Sequence, residues 1–188
     1  MGTNSPEAGS ECRTGSATDE KAASRAKNAA YRLLAYRSRS RNELIEKLSA
    51  RGFDDVVIAG VVSDLERYGY INDRKFAEEW AAHRVRLSGL GRRRIEQELR
   101  ERGIDRALVG ETLGLFSRED EEVSARKAAE KKLRLLVRAE PAARRRRLAG
   151  YLERKGFSAE IIAAVMKTIS SASSTNDPEE ANSTVGFL

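Results

Sequence analysis

Leu48–Leu65 reads LSARGFDDVVIAGVVSDL, and two later stretches lie over it position by position: LRERGIDRALVGETLGLF at Leu99–Phe116 and LERKGFSAEIIAAVMKTI at Leu152–Ile169. Apolar residues recur at the same five places: Val57, Ile58, Val61, Val62 and Leu65; Leu108, Val109, Leu113 and Phe116, with Thr112 as the one exception; Ile161, Ile162, Val165, Met166 and Ile169. That spacing is one face of an α-helix. Gly52, Gly103 and Gly156 precede it, each where a helix closes through a left-handed residue. The next residue, Phe53, Ile104 or Phe157, folds back on the finished helix. Asp54, Asp105 or Ser158 then offers an oxygen to the free N–H groups of the helix that follows. Each copy therefore reads helix, tight turn, helix.

Upstream of each glycine lies another helix with its own start. Ser40 and Glu43 are expected to make a capping box, S-R-N-E, ahead of Leu44 and Leu48. Gly91 precedes a helix carrying Ile95 and Leu99, and Pro141 suits a first helical position before Leu148 and Leu152. A further helix completes each group: roughly 28–37; 72–87, capped by Asn72 or Asp73; and 117–138, started by Ser117 and Asp120. In the second, Phe76, Trp80, His83 and Leu87 fall on one face, which predicts a packed or half-buried histidine. The expected architecture is all-α, an elongated array of three tandem three-helix repeats at 27–70, 71–116 and 117–170, with disordered tails at 1–26 and 171–188. A module of this size is marginal alone, so neighbours must share apolar faces.

Composition agrees. Of 188 residues 34% are charged and only 6% aromatic, which suits helices with broad solvated faces. Both ends are rich in small and polar residues. The single cysteine, Cys12, excludes an internal disulfide frame and a zinc cluster. The first residues lack the apolar core of a signal peptide, and no apolar run is long enough to span a membrane, so a cytoplasmic protein is expected. Nothing in the sequence suggests more than a monomer.

The net charge of +6 is uneven. Bases and acids number 9 and 9 in 28–79, 8 and 5 in 80–116, and 14 and 8 in 117–169. A basic body between neutral and acidic tails is the footprint of a nucleic-acid or nucleoprotein partner. Catalytic chemistry is mostly missing. His83 is the only histidine and there is no phosphate-binding glycine loop, so neither an enzyme nor a cofactor is expected. Arg84 and Arg86 close one helix, Arg92, Arg93 and Arg94 open the next, and Arg144, Arg145, Arg146 and Arg147 cluster in the third repeat. Cations in a first helical turn oppose the helix dipole by about 0.3–1 kcal/mol each. Their placement points to an anionic partner, and the lack of a base-reading motif predicts salt-sensitive, sequence-independent binding.

The run Gly69-Tyr70-Ile71-Asn72-Asp73, then Phe76-Ala77, Trp80, Arg84, Gly89, Gly91, Arg94-Ile95, Glu98-Leu99 and Gly103, resembles the signature of the RecX family. Arg37, Ser40, Glu43-Leu44, Leu48 and Gly52-Phe53 follow that family's opening pattern. The resemblance covers about 30–116 well and 117–169 more loosely. It implies tandem three-helix repeats and a bacterial regulator of the recombinase RecA. Such a protein binds RecA and its filaments on single-stranded DNA and restrains ATP hydrolysis, strand exchange and co-protease function, in recombination, repair and the SOS response. DNA, single- or double-stranded, would be bound weakly and without sequence specificity. Within the signature, Arg84, Arg92, Arg93 and Arg94 are the expected contacts. Tyr70, Phe76 and Trp80, with the turn glycines Gly52, Gly103 and Gly156, are the expected structural residues, a surface role being the alternative for Tyr70. Two alternatives remain: a helix–turn–helix DNA-binding protein, and a helical-repeat adaptor for an unrelated protein.

Overall fold

The computed structural model describes the backbone of residues 14–174 and the side chains of residues 19–170. Its helices are α1 (Thr14–Tyr36), α2 (Arg41–Ser49), α3 (Asp55–Arg67), α4 (Asp73–His83), α5 (Arg92–Glu101), α6 (Arg106–Gly114), α7 (Arg118–Leu133), α8 (Pro141–Arg154) and α9 (Ala159–Ser174), with one π-helical turn at Arg84–Ser88. No strand occurs among the described residues. The three sequence repeats thus supply three helices each. Helix α1 starts well before the expected residue 28 and takes in Thr14–Ala26, so the N-terminal tail is shorter than the sequence suggested; Ala26 is already fully buried. The expected disorder of the outer tails lies outside the described residues.

The turn glycines carry the expected conformation, with φ of 79° at Gly52, 71° at Gly103 and 86° at Gly156. At each, the glycine N–H and the next N–H close back on the helix: Phe53 to the Leu48 carbonyl, Ile104 to Leu99 and Phe157 to Leu152. The following helices are capped by Asp54, Asp105 and Ser158, which accept from the N–H groups of Val56, Ala107 and Ile161 at 2.9, 2.8 and 3.3 Å. Asn72 caps α4, accepting from the Lys75 N–H, whereas Asp73 accepts from the N–H of Arg41 at the start of α2.

The helices close into two compact units, one of residues up to Trp80 with Glu98–Thr112, the other of Ala81–Gln97 with residues from Leu113 onward. The first has a core of Ala26, Ala30, Leu33, Leu44, Leu48, Ile58, Val61, Val62, Leu65 and Ile71. In the second, Ala125, Ala128 and Ala129 of α7 pack with Leu148, Leu152, Phe157, Ile161 and Val165. The apolar faces of α3 and α9 are spent on these cores, which leaves them poorly suited to reading base edges.

Helix α4 departs from expectation. Its buried positions are Phe76, Ala77 and Ala81, a face centred one residue beyond the 76/80/83/87 set. His83 is consequently exposed, not packed. The π turn then adds a residue to the helical circuit, closed by Gly89 (φ 56°) donating to the Arg84 carbonyl, and Leu87 is carried out to 76% exposure.

Candidate functional site: a cation cluster around Tyr151

The repeated turn does more than reverse the chain. In the first unit the turn of the second repeat meets the start of α2: Ser40 Oγ donates to the Arg102 carbonyl at 2.6 Å and accepts from the Glu43 N–H at 3.1 Å. A Cβ at Gly103 would run into the Asn42 side chain. Glu43 does not complete a capping box; its carboxylate takes both guanidinium nitrogens of Arg37, with Arg102 Nε 3.7 Å away. Arg102 also stands 3.8 Å above the Trp80 ring, whose Nε1–H donates to Glu98 Oε2 at 3.1 Å.

The second unit repeats the joint with the turn of the third repeat. The N–H groups of Gly91 and Arg93, at the start of α5, donate to the carbonyls of Lys155 and Gly156 at 2.8 and 3.2 Å. A Cβ on Gly91 or on Gly156 would collide with the opposing backbone. The Arg92 N–H between them donates to Glu121 Oε1 at 3.1 Å, and Arg92 Nη1 reaches the Phe116 carbonyl at 3.5 Å. Carbonyls and a carboxylate of the protein itself thus supply the negative charge expected of a ligand at this helix start. Arg92 and Arg94 are half-buried, the latter donating to Gln97 Oε1 at 3.2 Å, while Arg93 is exposed. Arg84 is half-buried. The run at 144–147 does not make one patch: Arg144 is half-buried, and Arg145, Arg146 and Arg147 project from successive positions around α8.

The other structural candidates divide. Phe76 is buried and stacks on the half-buried Trp80 at 5.9 Å between ring centroids. Tyr70 is not a core residue. It is 58% exposed, because Gly69 (φ 74°) turns the chain outward after α3, and only its edge meets Tyr31, 5.3 Å away.

A concentration of cations forms elsewhere in the second unit. Arg86 and Ser88 of the π turn, Lys127 and Lys131 of α7, Tyr151 of α8 and Lys155 at its C-terminal cap line an open cavity of about 210 Å³. Small side chains make it possible: Ser124 and Ala128 of α7 let the π turn approach, so that a Cβ on Gly89 would lie 3.8 Å from that of Ala128. Lys127 and Lys131 share one helical face by their i, i+4 spacing, as do Tyr151 and Lys155. Lys155 Nζ donates to the Ser88 carbonyl at 2.6 Å and stands 5.7 Å from the Tyr151 ring centroid, with Lys132 Nζ at 5.4 Å. Burial, and then the neighbouring Lys131 charge, holds the Lys155 ammonium below its ordinary value. Among the described residues no carboxylate pairs with Arg86, Lys127 or Lys131. Three exposed cations and the half-buried Lys155, gathered beside the half-buried Tyr151 ring, are suited to phosphate oxygens with a flat base beside them. Of these residues only Arg86 stood out in the sequence. Runs of arginine drew the eye, whereas the cluster is assembled from residues four apart on two helices and one turn.

Among the described residues no group of His, Cys, Asp and Glu could hold a metal, and no helix is long and apolar enough to cross a membrane. The chain matches the first, second and third three-helix domains of RecX at residues 26–65, 72–113 and 119–166. It is 36% identical over 143 residues to the regulatory protein RecX of Amycolatopsis mediterranei, covering 76% of this chain and 82% of that protein. It is 39% identical over 127 residues to that of Streptomyces coelicolor, covering 68% of each. The fold is similar to the crystal structure of RecX from Lactobacillus salivarius, with a TM-score of 0.73 over 80% of this chain and 98% of that one at 24% identity. With all three domains matched in order and relatives at this identity over most of their length, the chain belongs to the RecX family.

Proposed function

We propose that this chain restrains the recombinase RecA, binding it and its filaments on single-stranded DNA and lowering their ATPase, strand-exchange and co-protease activities. It does so without catalysis or cofactor of its own, by lying in the filament groove or limiting filament growth, as a cytoplasmic monomer. The modules are 27–70, 71–116 and 117–170. One observation carries the reading beyond family membership: the carboxylate-free cation cluster of Arg86, Lys127, Lys131 and Lys155 around Tyr151. It suits the phosphates and an exposed base of the strand that a filament holds, and its lack of directional base contacts suits a partner of any sequence. Arg93 and Arg145–Arg147 extend the basic surface; Arg92 and Arg94 serve the fold.

The test is RecA ATPase on single-stranded DNA with this protein added at substoichiometric ratios. Inhibition that persists in excess competitor DNA supports contact with the filament. Inhibition abolished by competitor would leave simple DNA sequestration, and no inhibition at any ratio would overturn the proposal.

A further inference from the structure

Two of the three repeated turns receive a helix start, and the third is open among the described residues. The residue before the glycine is basic each time: Arg51, Arg102 and Lys155. The Arg102–Gly103 turn receives Ser40 and the acid Glu43 of α2; the Lys155–Gly156 turn receives Gly91 and Arg93 of α5. Among the described residues nothing lies within 4 Å of where a Cβ on Gly52 would stand. Beside it Arg25, Arg32 and Arg51, with Asn28 and Phe53, line an open cleft of about 440 Å³. Among the described residues neither Arg25 nor Arg32 is ion-paired, and Arg51 reaches only the Ala29 carbonyl at 3.4 Å.

We propose that the Arg51–Gly52 turn is a docking site for the N-terminus of a helix of a partner protein, one with a small cap residue and an acidic first turn. The two filled turns define what fits: N–H or O–H donors directed at the turn carbonyls and an approach close enough to require glycine, by the Asn42 side chain in the first case and by backbone in the second, with an acid within reach of the basic residue in the first. Three arginines around the open turn make the acid a stronger requirement here. Nucleic acid fits less well, since phosphates bring acceptors to a turn that presents carbonyls. The α7 and α8 starts of a second copy of this chain fit poorly too. Its α8 start carries Arg144–Arg147, of like charge, and its α7 start is engaged, with Glu121 on the Arg92 N–H and Ser117 and Asp120 capping each other. The site is separate from the cation cluster and does not rest on the RecA reading.

The experiment titrates the full ¹⁵N-labelled chain with a synthetic peptide beginning Ser-Pro-Glu-Glu and continuing as an alanine–lysine–glutamate helix. Saturable shifts of the Gly52 and Phe53 amides are expected. At least tenfold weaker binding is expected for the Arg25→Glu/Arg32→Glu variant and for a peptide with glutamine in place of both leading glutamates. No shift at Gly52 at millimolar peptide, or shifts indifferent to charge reversal, would overturn the proposal. So would shifts that grow with protein concentration alone, which assign the turn to a second copy, or the same shifts from a single-stranded oligonucleotide in place of the peptide.

Discussion

The three turn glycines share one backbone conformation but face different surroundings, so one substitution should have three different effects. Any L-residue at these φ values is strained by about 1 kcal/mol. Gly52→Ala should cost about that much, because the space above it is open. Gly103→Ala should cost more, since the Asn42 side chain must move aside. Gly156→Ala should cost about 2–4 kcal/mol, because the obstruction there is the backbone of α5, which cannot swing away. Urea unfolding of the three variants tests the order; equal losses would mean that the glycines serve only their own turns. The sequence showed the need for a left-handed residue at each of these positions. It could not show the second use of Gly103 and Gly156, because close approach depends on residues more than sixty positions away.

At the scale of elements, the caps separate into buried and solvent-facing. Ser40 is fully buried and bonded both to the Arg102 carbonyl and to the Glu43 N–H. Ser40→Ala should therefore cost about 2–3 kcal/mol, leaving a buried carbonyl and N–H unmet. Ser117→Ala, at the exposed capping box of α7, should cost about 1 kcal/mol because water can take over. Thermal melts compare the two directly. Helix starts and stops were largely legible, since capping residues and glycines act locally. Helix α4 was misread twice: its buried face is centred on Phe76, Ala77 and Ala81, which leaves His83 outside it, and one added residue in the π turn then carries Leu87 outward. The cation cluster was hidden for the same reason that the arginine runs misled: neighbours in sequence point in different directions around a helix, while residues three or four apart converge.

For the whole molecule, the basic surface should act as a set of phosphate contacts. Replacing Arg86, Lys127 and Lys131 together with alanine should weaken binding to a single-stranded oligonucleotide. It should also make the slope of log affinity against log salt shallower by about 2, at roughly 0.7 per contact. Fluorescence anisotropy at several salt concentrations reads both quantities, and an unchanged slope would place the DNA contacts elsewhere. Because all three side chains are largely free of internal partners, the melting temperature should not move. The repetition that builds the fold has one more consequence. Three copies of one phrase amount to an alignment carried inside a single chain, and the chain can be corrected against itself. Where the first and third copies place Val61 and Val165, the second places Thr112, buried and with no hydrogen-bond partner for its hydroxyl among the described residues. Thr112→Val should raise stability by about 1 kcal/mol, read as a later urea midpoint. The consensus that justifies the change comes from the protein's own sequence.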